Sequence, residues 1–307
     1  RFGAEGIGLY RSELLFNQFK GFPTESEQIA AYRKVAEAAG AEGVRIRTFD
    51  LSVEQIADET GEREKNPALG LRAVRLSLTH PNEFRRQIRA ILQAATAGNI
   101  SIVLPMVSDV AEIWRVKKII ESEKEKLKRG KIACGTPRLG AMIEVPSAVL
   151  TIDEIAAEVE FLCLGTNDLV QYLLAVDRDN EAVADWFRTL HPAVLRALKQ
   201  IFEAAERRKI PAIVCGEMAG SPVYVPILLG LGARELSMNV HSMPRVRRIA
   251  ASIALEESRE LVRNLEKCRA ADEIETAVSK FYREKWTHLF LAEIFPAKKK
   301  IEKRKNS

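Results

Sequence analysis

Short apolar runs alternate with helical patterns along much of this chain, and this alternation restricts its possible folds more than any other feature. The runs at 100–106, 139–143 and 159–164 are each followed by a helical pattern or a long connection. Strands that alternate with helices build a parallel sheet, because each helix carries the chain back to the start of the next strand. The sequence therefore predicts an α/β fold.

The number and order of the predicted elements favour a closed barrel. We predict seven strands, at 7–10, 44–50, 100–106, 139–143, 159–164, 211–214 and 235–239. The predicted helices include 23–40, 70–78, 81–97, 110–131, 192–208, 222–229, 243–254 and 255–292. The charge-rich run at 121–131 is interpreted as a solvated helical face. This order suits a (β/α)8 TIM-type barrel better than a doubly wound sheet, and no Gly-x-Gly-x-x-Gly sequence follows a predicted strand.

Composition excludes several classes of function. The chain is 47% hydrophobic, and no apolar run is long enough to span a membrane. Residues 298–305 hold six basic side chains and one acidic one, which accounts for the net charge of +5 and leaves the rest of the chain neutral. The four cysteines are far apart in sequence, which argues against a zinc site or a disulfide scaffold. We therefore expect a cytoplasmic protein that binds neither nucleic acid nor membrane.

Polar side chains follow the predicted strands where each strand ends. These residues are Arg11, Arg47, Glu144, Asp168 and Cys215. One of them alone could simply cap a turn or begin the next helix. However, the C-terminal ends of barrel strands meet at one face, and that face carries the chemistry in barrels of this type. The repetition therefore predicts an active site there.

The residue types predict which ligands that face could bind. Arg11, Arg47 and Arg178 would form an anion cradle, because guanidinium groups bind phosphate and carboxylate oxygens at several points. Glu144 and Asp168 supply two hard oxygen ligands, a number typical of Mg²⁺ sites that also hold water and substrate oxygens. Together these groups suit a phosphorylated carboxylate bound on Mg²⁺, or phosphoryl transfer.

Cys215 has two interpretations. A small thiol after an apolar run is most often a core residue. No histidine neighbours it in sequence, and the carboxylate of Glu217 is expected to raise its pKa and keep the thiol protonated. A protonated thiol could donate a proton to the carbon of an enolate.

Several segments of this sequence resemble a known family. They are 6–13, Arg47–Asp50, Asn66–Arg72, Met142–Pro146, Gly165–Tyr172 with Ala175–Arg178, and Cys215–Gly220. In this order they resemble the phosphoenolpyruvate-binding domain of Enzyme I of the bacterial sugar phosphotransferase system. The resemblance covers residues 1–255. Dikinases and phosphoenolpyruvate synthases share the barrel, but the Ala-Val-Asp-Arg and Cys-Gly-Glu-Met-Ala-Gly segments are more similar to Enzyme I.

The resemblance implies a role for each matching residue. The substrate-binding residues that it implies are Arg11, Arg47, Arg72, Asn167, Asp168 and Arg178. It also implies that Glu144 and Asp168 bind Mg²⁺ and that Cys215 protonates enolpyruvate. The implied reaction moves the phosphoryl group of phosphoenolpyruvate to a histidine on an N-terminal domain and releases pyruvate. The implied partners are that domain, a small histidine-phosphorylated carrier protein and a second copy that forms a homodimer through the barrel.

Two features of this sequence depart from the family pattern. The family follows its Arg-Thr-x-Asp segment with Gly-Gly-Asp-Lys, whereas this chain has Leu51–Gln55 there. The family domain also begins with a strand and helix upstream of the match to Arg1. We therefore expect a barrel (residues 1–255) without its first strand and helix, extra C-terminal helices (256–292) and a disordered basic tail (293–307). A dikinase-type or synthase relative, or a degenerate sensing or dimerisation module, remains an alternative.

Overall fold

Seven parallel strands form one sheet in the computed structural model, which describes residues 3–56 and 64–290. The strands are β1 (Ile7–Arg11), β2 (Val44–Arg47), β3 (Ile100–Leu104), β4 (Arg138–Ile143), β5 (Phe161–Gly165), β6 (Ala212–Cys215) and β7 (Glu235–Leu236). Each strand pairs with the next one along the chain. The predicted strands and their order are confirmed, although β7 is shorter than expected.

The sheet curls into a nearly closed barrel. Within the described ranges, β1 pairs with β2 alone and β7 with β6 alone, so each has one edge without a strand neighbour. The two edges still approach each other, because a Cβ atom added at Gly8 of β1 would overlap the side chain of Ser237 just after β7. Arg45 of β2 also reaches across to Glu235 of β7, with 2.7 Å between Nη2 and Oε2.

The inside of the barrel is filled by side chains. Residues of β1 and β3–β6 form an apolar cluster of Leu9, Val103, Met142, Phe161, Cys163, Ile213 and Cys215. The guanidinium carbons of Arg45 and Arg138 lie 5.5 and 5.9 Å from the centroid of the Phe161 ring. A side chain at Gly140 would overlap this ring, so glycine is needed there for the ring to fit.

Helices connect the strands and cover the outside of the barrel. They are α1 (Glu13–Phe19), α2 (Glu25–Ala39), α3 (Val53–Ile56), α4 (Ala73–Thr79), α5 (Pro81–Ala94), α6 (Val110–Arg129), α7 (Pro146–Leu150), α8 (Ile152–Glu158), α9 (Thr166–Leu174), α10 (Pro192–Arg208), α11 (Glu217–Gly220), α12 (Val225–Leu231), α13 (Met243–Ser252), α14 (Leu255–Leu265) and α15 (Ala271–Lys285). Local signals set several starts, such as the capping box of Thr24 and Glu27 at α2 and Pro192 in the first turn of α10.

The charge-rich end of α6 differs from its prediction. Glu123 and Leu127 are buried, so this part of the helix is not a fully solvated face. The Glu123 carboxylate accepts hydrogen bonds from Arg85 and Arg89 of α5 at 2.5 and 2.9 Å, and from Lys126 at 2.7 Å. The sequence pattern missed this because Glu123 is buried by neighbouring helices that a local charge count does not include.

The C-terminal helices α13–α15 pack on α12 around a second apolar cluster. Its aromatic part consists of Phe281, Tyr282, Trp286 and Phe290, and the Trp286 ring lies next to each of the other three. In the described part of the chain, no helix combines the length and apolar character needed to cross a bilayer. The predicted basic tail lies outside the described residues.

Candidate active site

The C-terminal ends of the strands meet at one face of the barrel and line two adjoining cavities. The cavity over β1, β2 and β4–β6 has a volume of about 520 Å³, and a second one of about 800 Å³ opens beside it. The predicted site residues line one or both of them: Arg11, Arg47, Arg72, Glu144, Asn167, Asp168, Arg178 and Cys215. The fold therefore brings together every side chain that the sequence selected.

Glu144 lies at the end of β4 and is buried beneath the cavity. Its Oε1 accepts a hydrogen bond of 2.7 Å from the backbone N–H of Met106. Burial and the nearby negative charges of Asp168 and Asp50 raise the pKa of Glu144 to about 8, although Arg47 acts in the opposite direction. The charged form of Glu144 therefore lacks sufficient positive charge around it.

Asp168 lies in the first turn of α9, next to Glu144 in the cavity wall. Its Oδ1 is buried and takes part in no hydrogen bond with the described residues, and Nη1 of Arg178 is 3.4 Å from that oxygen. A buried carboxylate oxygen without a hydrogen bond is costly unless a ligand binds it. Together with the raised pKa of Glu144, this arrangement fits a divalent cation held by the two carboxylates.

Glu144 and Asp168 offer hard carboxylate oxygens, which suit Mg²⁺ better than a softer transition metal. In residues 3–56 and 64–290, no three or more His, Cys, Asp and Glu side chains form a metal-binding group. An ion bound by Glu144 and Asp168 would take its other ligands from water and substrate oxygens, as Mg²⁺ commonly does.

Arg47 and Arg72 are held by the carboxylates of Glu13 and Asp50. Arg47 is buried and contacts Glu13 at 3.0 Å and Asp50 at 3.2 Å. Arg72 binds both carboxylate oxygens of Asp50, at 2.9 and 3.0 Å from Nη2. Burial lowers the pKa of Arg47, but the negative charges of Glu13 and Asp50 have a larger opposite effect. The pKa of Arg47 is therefore raised, and the guanidinium stays charged. Arg11 and Arg178 are more exposed.

Asn167 and Gly216 also line the smaller cavity. Asn167 Oδ1 accepts a hydrogen bond of 3.2 Å from the backbone N–H of Glu217. Gly216 has φ of +97°, a left-handed conformation that favours glycine, and a Cβ there would overlap the side chain of Thr166. Thr166 Oγ1 in turn donates a hydrogen bond of 2.9 Å to the carbonyl oxygen of Cys215.

Cys215 is both a buried residue of the barrel interior and part of the cavity wall. A hydrogen bond with the Cys163 thiol lowers the pKa of Cys215, although burial opposes this effect. Ser237 and the positive charges of Arg45 and Arg47 lower it further. The predicted rise in the pKa of Cys215 is therefore wrong, because the hydrogen bond with Cys163 and the other groups around the thiol lower that pKa.

Several residues that complete the site were not predicted from the sequence. Glu13, Asp50 and Tyr172 hold the arginines, and Cys163 and Ser237 contact the Cys215 thiol. A signal existed for two of them, since Glu13 and Asp50 each follow a candidate arginine within three residues. The contacts of the others join distant parts of the chain.

Comparison with known proteins agrees with this geometry. Residues 1–255 match the family model described as "PEP-utilising enzyme, PEP-binding domain". The chain belongs to this family. The matched segment makes up most of the length of this PEP-utilising enzyme domain.

Relatives of known name are similar to this PEP-binding domain along most of its chain. It is 41% identical over 279 residues to a Salmonella typhimurium protein named "Phosphoenolpyruvate-dependent phosphotransferase system", covering 90% of this chain and 37% of that protein. It is 40% identical over 281 residues to the "Phosphoenolpyruvate-protein phosphotransferase" of Staphylococcus carnosus, covering 91% and 49%. The chain thus spans less than half the length of these relatives.

Proposed function

We propose that this domain binds phosphoenolpyruvate with Mg²⁺ and passes its phosphoryl group to a histidine on another domain, with release of pyruvate. One observation supports this proposal most strongly. Four arginines, two carboxylates and one thiol lie together at a single face of the barrel. The arginines match a substrate with both phosphate and carboxylate groups, and the thiol matches an intermediate that needs a proton on carbon.

Each group has a chemical task in this reaction. Arg11, Arg47 and Arg178 bind and orient the anionic groups of the substrate and stabilise charge that develops during transfer. Mg²⁺ held by Glu144 and Asp168 would neutralise charge on the phosphate and enolate oxygens. The P–O bond to the enol oxygen breaks, and the histidine nitrogen takes the phosphoryl group.

The Cys215 thiol completes the reaction on the carbon side. It gives its proton to the methylene carbon of enolpyruvate, which becomes the methyl group of pyruvate, and the thiolate regains a proton from water. The positive charges of Arg45 and Arg47 favour the thiolate that forms, as does the hydrogen bond from Cys163.

The resemblance to Enzyme I supports a set of partners. We infer that the phosphoryl acceptor lies on an N-terminal domain, that a small histidine-phosphorylated carrier protein receives the group next, and that the protein is a cytoplasmic homodimer joined through the barrel. This resemblance is compatible with a pathway of sugar uptake and with one of nitrogen regulation.

One observation supports a second candidate function. Segment 51–55 differs from the Gly-Gly-Asp-Lys pattern of the family, which is consistent with a sensing module that binds phosphoenolpyruvate without turnover. In the full-length protein, tight binding with no pyruvate formed in the presence of the carrier would favour that function. A requirement for a nucleotide would instead favour a dikinase-type or synthase relative.

The first test of the proposed function removes a metal ligand. In the full-length protein, Asp168→Ala should abolish Mg²⁺-dependent binding of phosphoenolpyruvate, because the remaining carboxylate of Glu144 cannot hold the ion with the substrate. Calorimetry with and without Mg²⁺ measures this. Asp153→Ala is the control, since Asp153 pairs with Arg207 on the outer helices. Unchanged affinity in Asp168→Ala would contradict the metal assignment.

A further inference from the structure

A single carboxylate lies between two arginines of the site. Asp50 Oδ2 is 3.2 Å from Nη1 of Arg47, and the same carboxylate binds Arg72 through Nε at 3.1 Å and Nη2 at 2.9 Å. The Asp50 side chain is 4% exposed, so these contacts are hardly weakened by water. Asp50 therefore holds two positive groups in a fixed relation to each other.

Glu13 completes this arrangement from the start of α1. Its Oε2 is 3.0 Å from Nη2 of Arg47, and its Oε1 accepts a hydrogen bond of 2.8 Å from the backbone N–H of Asp50. Glu13 thus binds the side chain of Arg47 and the backbone of Asp50, the residue that links Arg47 to Arg72. Without Asp50, Arg47 and Arg72 would face each other as like charges and would lose their shared anchor.

The backbone around Asp50 fixes the position of Arg72. Ser52 and Arg72 form an antiparallel bridge, and the N–H of Ala73 donates to the carbonyl oxygen of Leu51 at 3.0 Å. Leu51 is fully buried. Ala73 adopts φ of +54°, which is unusual for a residue with a side chain and is found where the surrounding structure imposes it.

Segment 51–55, which departs from the family pattern, therefore has a defined backbone contact within the site. It follows directly after Asp50, and its residue Ser52 pairs with Arg72. Tyr172 supports the same arginine from α9, with 3.4 Å between its Oη and Nη1 of Arg72, and donates to the carbonyl oxygen of Ala68 at 2.5 Å.

We propose that Asp50 is a positioning residue that sets the spacing of Arg47 and Arg72 for the substrate phosphate. This inference rests on the proposed function, because it assumes an anionic substrate between these arginines. Asp50 carries the wrong charge to bind that substrate itself, so its contribution must pass through the arginines.

The negative charge of Asp50 and its proposed positioning role predict opposite effects of its replacement on substrate affinity. Replacing it with a neutral residue makes the cavity more positive, so electrostatics alone predicts tighter binding of an anion. If Asp50 sets the spacing of the arginines, the same change should weaken binding, because misplaced donors lose their alignment with the phosphate oxygens.

The experiment compares two variants of the full-length protein. Asp50→Asn removes the charge, and Asp50→Glu keeps it but moves it outward by one methylene group. We expect both to bind phosphoenolpyruvate with Mg²⁺ at least about tenfold more weakly by calorimetry, since small misplacements at such sites have large effects. Asp153→Asn and Asp153→Glu are matched controls, because Asp153 binds Arg207 at 2.8 and 3.1 Å in the same two-point manner outside the site. We expect both controls to bind as the unchanged protein does.

The outcomes separate this inference from the proposed function. If the unchanged protein does not bind phosphoenolpyruvate, the proposed function fails. If it binds and Asp50→Glu binds equally well, the positioning role is overturned and the proposed function stands. Tighter binding by Asp50→Asn would also overturn it. If Asp50→Asn does not fold, Asp50→Glu decides alone, and thermal unfolding of each variant shows whether a change in affinity comes with a folded protein.

Discussion

At the scale of single residues, the surroundings of a buried side chain decide its chemistry. Glu144 and Asp168 are buried near other carboxylates, and the pKa of Glu144 is raised to about 8. Cys215 is equally enclosed, but its hydrogen bonds and the nearby arginines lower its pKa. The first arrangement suits a cation, and the second suits a proton donor that must carry negative charge for a short time.

The residue-scale prediction concerns Cys215. In the full-length protein with its carrier, Cys215→Ala should bind phosphoenolpyruvate normally but form pyruvate about 10²–10⁴-fold more slowly, because positioned acid catalysis contributes roughly that factor. Pyruvate formation followed over time measures this. The control is Cys134→Ala, which removes a thiol that does not line either cavity. A near-normal rate in Cys215→Ala would show that Cys215 is a core residue and does not donate the proton.

At the scale of secondary-structure elements, charged contacts join the outer helices. Glu123 of α6 is bound by Arg85, Arg89 and Lys126, and Arg89 also donates to Glu25 of α2 at 2.8 Å. Burial raises the pKa of Glu123, but the hydrogen bonds from these cations outweigh it and lower the pKa from its ordinary 4.5 to about 2. This network fixes three helices relative to one another on the outside of the barrel.

The element-scale prediction concerns acid stability. The pKa of Glu123 is lower in the folded protein than in the unfolded chain, so its stabilising effect is present above about pH 4.5 and is lost as the pH falls towards 2. Glu123→Gln should lower the free energy of unfolding at pH 7 by roughly 1.5–3 kcal/mol, the value of hydrogen bonds to a charged group. The difference from the unchanged protein should shrink at pH 2.

Chemical denaturation followed by circular dichroism at both pH values measures the effect of Glu123→Gln. Glu121→Gln on the exposed side of the same helix is the control, and it should change the free energy of unfolding little at either pH. A difference between the variant and the unchanged protein that stays constant down to pH 2 would show that Glu123 acts through packing rather than charge.

At the scale of the whole molecule, β1 and β7 of the nearly closed barrel approach each other through side-chain contacts, and the described residues show no strand pairing between them. The contacts there are Gly8 against Ser237 and the ion pair between Arg45 and Glu235. Arg11, at the end of β1, belongs to the proposed phosphate site. Order at this edge and order in the site are therefore linked.

The whole-molecule prediction concerns hydrogen exchange at this edge. Amides of residues 7–11 should exchange at least about tenfold faster than those of β3–β5, because among residues 3–56 and 64–290 β1 has a strand neighbour on one side and the central strands have two. Exchange measured on this chain by mass spectrometry or NMR tests this. Equal protection of β1 and β4 would contradict this prediction.

The sequence by itself determined the alternation of elements, the order of the strands and the polar residues at their ends. It could do so because the period of apolar residues and the residues that break it are local properties. For the same reason, Arg11, Arg47, Glu144, Asp168 and Cys215 could be selected without knowledge of their distances.

Only the tertiary structure decided which groups face each other. Asp50 lies between Arg47 and Arg72, Cys163 contacts Cys215, and Glu123 is buried, although local patterns predicted a solvated helix face and a thiol influenced by Glu217. Burial and electrostatic effects depend on every element packed around a group, and these elements come from distant parts of the chain.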